Sequence, residues 1–541
     1  MKNVILCFVL CGFIMAPHTM GQDSAKEKGL HVITKEAIQA QLEFLASDWT
    51  EGRATGEKGI FLAGDYVASM FKYSGIEPGG DMNIRSGRRR GDGPPSQPSR
   101  SYFQNFTLLE SIPDGSSVLS IKEGNREMYL HEDVDFTIGR AAISTRMQGT
   151  LVFIGYGIKS EEFGLDDFSG ADLKGKIAVR LTGFPGMNDE ASAMYKKLME
   201  DRMAARQLRR IKNEVLAEMG ALAVIDIDTE SDVTLFWGEI REDMMLSPNE
   251  SSWRSDGVLM RLDDPKVTNE PVVLNVSPKV AHTLLEGADV DLKKYKNDAA
   301  GGKKFKPVNI NNISVGLDIR VSHKRVRVRN VVGMIEGEKT DEFVVVGAHM
   351  DHMGMSGGRV WNGADDNGSG TVGMMTIARA FAATGVQPQK TILFCAWTGE
   401  EKGLLGSKYF TLNPTIGEIG EYKLYLNYDM ISRDSPNDEE KKNCSVSYTE
   451  AFKYIEDITK QNAEDFSINL NLSFRPSEAP RGGSDFSSFT EQEVPIMAMM
   501  AGFPGEYHTA ADEVDLINWD KMLEIIKLGF LNMWDAANNE Y

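Results

Sequence analysis

Three apolar runs between residues 343 and 429 each lead into an acidic or imidazole side chain, and this pattern restricts the fold more than any other feature. Phe343-Val344-Val345-Val346-Gly347-Ala348 runs into His349 and Asp351. Thr391-Ile392-Leu393-Phe394-Cys395-Ala396-Trp397 precedes Glu400 and Glu401, and Leu424-Tyr425-Leu426-Asn427-Tyr428 precedes Asp429. Continuous apolar runs of this length predict strands covered on both faces. Polar groups that repeatedly follow such strands belong in the crevice beyond the carboxyl ends of an α/β sheet, where these folds bind ligands. The segment from Asn362 to Gly370, NGADDNGSG, is too rich in Gly, Asn and Asp to be other than a loop, and it adds Asp365 and Asp366. A helix is expected after Gly370, burying Val372, Met375, Ile377 and Ala380. A last helix over about 519–537 uses Met522, Leu523, Ile526, Phe530 and Met533.

Carboxylates gathered in one crevice repel one another and need a cation. With His508 near the end of the chain, the cluster reads as a two-metal hydrolase site. Of the eight histidines, three (His349, His352 and His508) fall beside the carboxylate loops. Glu400 and Glu401 are adjacent, and consecutive side chains of an extended segment point apart. One can hold a metal while the other reaches an attacking water.

The blocks GAHMDHMG, NGADDNGSG, WTGEEKGLLGS, LNYDMIS and EYHTAADEVDLIN follow one another between about 325 and 541. In that order they resemble the co-catalytic zinc exopeptidases of metallopeptidase family 28, which includes leucyl-type aminopeptidases and glutamate carboxypeptidases. LEFLASDWTEGRATGEKG resembles the family's N-terminal segment. GYGI at 155–158 and DLKGKIAVR at 172–180 resemble a protease-associated domain. The resemblance implies two Zn2+ per chain. His349 and Asp429 would hold the first, Glu401 and His508 the second, and Asp366, which opens D-x-x-S-G, would bridge them while Asp365 caps the loop. It implies Asp351 as a carboxylate orienting His349, Glu400 as general base and Tyr507 as a support for the oxyanion. His352 is expected to pack or hydrogen-bond. Many relatives place a His after the Asp of their S-D block; here the run is Ser484-Asp485-Phe486, so no role is carried there. The implied substrates are peptides, cut at the amino terminus. A carboxypeptidase, needing a cation such as Arg481 for the substrate carboxylate, and a glutaminyl cyclase-like transferase are the alternatives. An inactive receptor-like relative would have lost ligands, whereas all five and Glu400 stand here.

A chain of 541 residues exceeds what one core usually organises. The expected fold is an α/β zinc-exopeptidase sheet flanked by helices, made from 22–124 and 321–541, with 125–320 inserted as a β-rich, protease-associated-like domain. Residues 1–21 read as a signal peptide: Lys2 precedes an apolar run from Val4 to Met15, too short to span a bilayer, with cleavage before Gln22. Export to the periplasm or the medium follows, without stable membrane insertion. A net charge of -20 argues against a nucleic-acid partner. With Cys7 and Cys11 in the leader, only Cys395 and Cys444 remain, and their contexts predict no disulfide. Helices are expected between 35 and 75, with Ala37, Leu42, Leu45 and Ala46 on one face and Ile60, Ala63, Val67, Met70 and Phe71 on another, around the loop 51–56. A long helix is expected over about 190–218. The Arg-, Gly- and Pro-rich stretch 82–100 reads as a disordered surface insertion.

Overall fold

The structure is a computed structural model and describes residues 18–540, except 84–98, 133, 142, 161–162, 187–188, 190, 201–211, 214, 228–258, 264–270, 287–289 and 357. The apolar run of the expected leader, most of the basic stretch and the middle of the expected long helix lie outside the described residues. What is described around the last two is a short pairing of Met82–Asn83 with Ser99–Arg100 and a helix over Ala193–Glu200.

The larger of two main sheets has ten strands. Nine carry the labels β1 (Phe103–Pro113), β2 (Leu259–Leu262), β3 (Val321–Ile335), β4 (Lys339–His349), β5 (Lys390–Trp397), β6 (Tyr422–Tyr428), β7 (Asn443–Thr449), β8 (Asn471–Ser477) and β9 (Ile496–Met500). Their order is β2-β1-β3-β5-β4-β6-β9-β7-β8, and Glu77–Pro78 pairs with β3 off this path. The four central strands β5, β4, β6 and β9 are mutually parallel. Their side chains divide by alternation into two cores. Val344, Val346, Ile392, Phe394, Leu424 and Leu426 pack on one face. Val345, Leu393, Trp397, Tyr425 and Ile496 pack on the other. Burial on both faces is what makes these strands read as unbroken apolar runs.

Helices α1 (His18–Val32), α2 (Lys35–Leu45), α3 (Lys58–Tyr73), α4 (Gly370–Thr384) and α5 (Trp519–Asn538) cover the first face. The Thr34 hydroxyl accepts from the Ala37 amide at the start of α2, and the Asn518 side chain does the same for Lys521 at the start of α5. The buried stripe of α2 is Ile38, Gln41, Leu42 and Leu45, so Ile38 takes the place expected for Ala37. Cys395 and Cys444 are buried and unbonded.

The second sheet has eight strands and runs from Val118–Glu123 to Val308–Ile319, which pair antiparallel. It therefore begins at Val118 rather than at 125. The Val118–Glu123 segment cannot belong to the first sheet, because its ladder partners are Ile313–Asp318. Leu259–Leu262, inside the expected insertion, pairs with β1 and so returns to the larger sheet. Among the described residues no helix is long and apolar enough to cross a membrane.

Candidate active site

Each central strand delivers a polar group at its carboxyl end. His349 is the last residue of β4, Glu400 and Glu401 follow β5 and Asp429 follows β6; His508 lies on the loop after β9. Asp366 comes from the loop that opens α4. The Asn362 and Gly363 carbonyls enter that loop, and Gly363 takes a positive φ of 54° there. A Cβ at this glycine would stand 2.4 Å from the His352 ring and 2.2 Å from the Asp366 carbonyl, so only glycine fits.

The five expected ligands converge. His349 Nε2 lies 3.3 Å from Asp366 Oδ1 and 3.5 Å from Asp429 Oδ1. His508 Nε2 lies 3.0 Å from Asp366 Oδ2 and 3.2 Å from Glu401 Oε2. Asp366 thus turns one oxygen to each imidazole, the geometry a bridging carboxylate needs. Asp365 faces elsewhere: Ser432 donates to its Oδ1 from the amide at 2.9 Å and the hydroxyl at 2.6 Å. His352 hydrogen-bonds as expected, donating from Nδ1 to Glu401 Oε1 at 3.0 Å, but its Nε2 is buried without a hydrogen-bond partner. Geometrically His349, Asp366 and Asp429 form one potential metal site, and His352, Asp366 and Glu401 another. Nitrogen and oxygen donors gathered around buried carboxylates, with an unsatisfied ring nitrogen among them, fit divalent zinc.

Glu400 and Glu401 differ in what they face. Glu401 is engaged by His508 and His352. Glu400 comes no nearer than 3.9 Å to His349 and lines a cavity of about 240 Å³ together with Asp366, Asp429 and Tyr507. Burial, then Glu401, Asp429 and Asp485, push the Glu400 carboxyl well above its usual range against the opposing pull of His349. The Tyr507 ring stacks on His508 with centroids 3.9 Å apart.

Asp351 acts differently from the expectation. Its carboxylate is 3.9 Å from His349 Nδ1, while its main-chain carbonyl accepts from that nitrogen at 3.1 Å. The carboxylate instead accepts from the Glu400 amide at 3.1 Å, the Glu401 amide at 3.3 Å and the Thr55 hydroxyl at 2.8 Å. Asp351 therefore fixes the strand-end imidazole through its backbone and the paired glutamates through its side chain.

Two supports have no local sequence signal. Asp512 accepts from the Asp365 and Asp366 amides, at 3.0 Å each, and anchors the bridging loop. Arg53, from the loop between α2 and α3, is only 1% exposed. It donates to the carbonyls of Met350 (2.8 Å), Leu45 (2.6 Å), Asn362 (2.6 Å) and Gly363 (2.9 Å). Burial lowers its pKa to about 10 against the attraction of Asp512, Asp351, Asp366 and Glu401, so it stays charged at neutral pH.

Residues 330–530 match the model of peptidase family M28. The chain carries an M28 peptidase domain. Leucine aminopeptidase 2 of Arthroderma otae is 31% identical over 215 residues, covering 35% of this chain and 41% of that protein. The probable leucine aminopeptidase 2 of Aspergillus fumigatus is 26% identical over 298 residues, covering 53% of this chain and 55% of the relative. The chain thus spans about half, or less, of the curated relatives it matches. An aminopeptidase structure from Aneurinibacillus sp. strain AM-1 superposes over 95% of this chain and 97% of its own at a TM-score of 0.54 and 17% identity, a likeness of fold.

Charges in the metal-free M28 domain predict its pH response. Burial opposes a charged His349, but Glu400, Asp429 and Asp366 outweigh it and raise its pKa well above 6.5. Burial likewise opposes a charged His508, but Glu401 and Asp366 raise it from 6.5 to about 10. A raised imidazole contributes stability that is complete below about 6.5 and lost as pH climbs through its folded pKa. Asp366 and Glu401 are shifted the other way: burial alone would raise them, and the surrounding imidazoles lower them below 3.8 and 4.5. Their contribution is present above those values and lost as pH falls. The raised Glu400 carboxyl acts in the same direction as the imidazoles above about pH 4.5, so metal-free protein should lose stability as pH climbs from there toward 10. The gain in melting temperature on adding zinc should grow from pH 5 to pH 9, because protons no longer compete for the imidazoles. A gain that shrinks over that range would contradict this charge assignment.

Proposed function

We propose that the protein is an exported exopeptidase that removes residues from the amino terminus of peptides with two divalent metal ions. The observation that carries this reading is the division of labour around Asp366. Its two oxygens face His349 and His508 separately, and of the adjacent glutamates only Glu400 opens onto the cavity. Bound metal ions would polarise the scissile carbonyl and favour ionisation of water near neutral pH. The side chains supply the rest. Glu400 accepts the proton of the attacking water and returns it to the leaving amine. Tyr507, which lines the cavity, donates to the oxyanion in this reading. Asp351 holds both glutamate amides so that Glu400 and Glu401 keep their separate directions. Leucine aminopeptidases among the relatives support action at the amino terminus. The apolar run behind Lys2 supports export, and the eight-stranded sheet is proposed as the protease-associated-like unit.

Hydrolysis of leucine amide, N-acetyl-leucine amide and a benzoylated dipeptide with a free carboxyl group tests the direction of cutting. The first should be hydrolysed and the acetylated form left intact. Turnover of the benzoylated dipeptide alone would make the protein a carboxypeptidase.

A further inference from the structure

Beyond β6 the larger sheet continues through β9, β7 and β8, and these strands build one wall of the cavity. Their register places Asn427 beside Ala498, Ala498 beside Ser447 and Ser447 beside Arg475. All four residues line the cavity that holds Glu400 and Asp429. Neighbouring strands stand about 4.8 Å apart, so the row carries Arg475 on the order of 14 Å from Asn427. Asn427 is itself two residues before Asp429. An arginine side chain extended back along the row shortens that gap to the length of one or two amino-acid residues, since an extended residue spans about 3.3–3.6 Å.

Arg481, on the loop before α-helical Phe486–Thr490, lines the same cavity. Ion pairs and hydrogen bonds of the described residues engage Arg53, Arg100, Arg146, Arg180, Arg329 and Arg433. None involves the guanidinium of Arg475 or Arg481. Two cations without acidic partners, in a chain of net charge -20, thus face one cavity whose other end carries the candidate base.

We propose that Arg475 and Arg481 bind a carboxylate of the substrate and set the specificity of the site. This rests on the reading of Glu400 as the base beside the scissile bond. Guanidinium groups recognise carboxylates through paired, charge-assisted hydrogen bonds. The carboxylate has two sources: the side chain of an acidic terminal residue, or the free carboxyl end of a short peptide.

The test uses the zinc-loaded full chain and two matched pairs, glutamyl against glutaminyl p-nitroanilide and Leu-Gly against Leu-Gly amide. In at least one pair the carboxylate-bearing member should have a kcat/KM higher by about tenfold or more, expressed in KM, and the pair identifies the source. In the Arg475→Gln/Arg481→Gln double variant that ratio should fall toward one. Calorimetric titration of the turnover-deficient Glu400→Gln protein with glutamyl and glutaminyl amide, and with the two dipeptides, reads the same preference without catalysis. Equal values within both pairs in the wild type, or a preference that survives in the double variant, would overturn the proposal. Absent hydrolysis with the binding preference intact would instead refute the peptidase reading and leave the carboxylate site standing.

Discussion

Glu400→Gln should reduce turnover by about 10²–10⁴-fold while zinc content and substrate affinity stay close to wild type. The substitution keeps the shape of the side chain and removes its ability to take a proton. No imidazole depends on Glu400 at hydrogen-bonding distance, and its place is secured through its amide by Asp351 rather than through its carboxylate. Glu401→Gln should behave in the opposite way. Both oxygens of Glu401 are engaged, one by His352 and the other by His508, so losing its charge weakens one metal site and excess zinc should restore part of the rate. Metal analysis alongside steady-state kinetics on both variants decides the matter. Metal loss in the Glu400 variant with full occupancy in the Glu401 variant would reverse the two roles.

Arg53→Met should cost about 3–5 kcal/mol of stability, the range for removing one partner from a buried charged network. The guanidinium joins segments that are far apart in the chain: the end of α2, the residue after His349 and the entry to the Asp366 loop. Without it the Met350 and Asn362 carbonyls lose their donor, at about 1–3 kcal/mol each, the Leu45 and Gly363 carbonyls keep only Thr50 and the Gly368 amide, and the acidic cluster loses a buried cation. Arg53→Lys keeps the charge but cannot reach several carbonyls in a planar fork, so it should recover only part of the loss. Urea unfolding of the zinc-loaded variants measures both. A midpoint unchanged in Arg53→Met would show that the loops are held by other contacts.

The catalytic half was legible because its physics is written locally. Strands buried on both faces must be continuously apolar, and the groups that end them, His349, Glu400, Glu401 and Asp429, sit in line behind each run. Asp366 could be separated from Asp365 only through the family pattern; in space the distinction is plain, because Ser432 occupies Asp365. Other features had no local signature. Arg53 looks like any arginine in a glycine-flanked loop, and its partners include carbonyls of Met350 and Gly363, 297 and 310 positions away. Asp351 was expected to steer His349 with its carboxylate, but a main-chain oxygen does so, and every residue type carries one. Arg475 emerges only from strand register, because β7 and β8 are parallel and place it beside Ser447 across the cavity wall. The start of the second sheet at Val118 likewise depends on pairing with Ile313–Asp318, a contact invisible to periodicity.

In the proposed site Asp366 serves two metal ions at once. Calorimetric titration of metal-free protein with zinc, checked by elemental analysis, tests it most directly. Wild type should take up two ions per chain, and Asp366→Ala should weaken both sites together, because each imidazole faces one of its oxygens. A wild-type stoichiometry of one, or an Asp366→Ala protein that still binds one ion with unchanged affinity, would contradict the shared bridge.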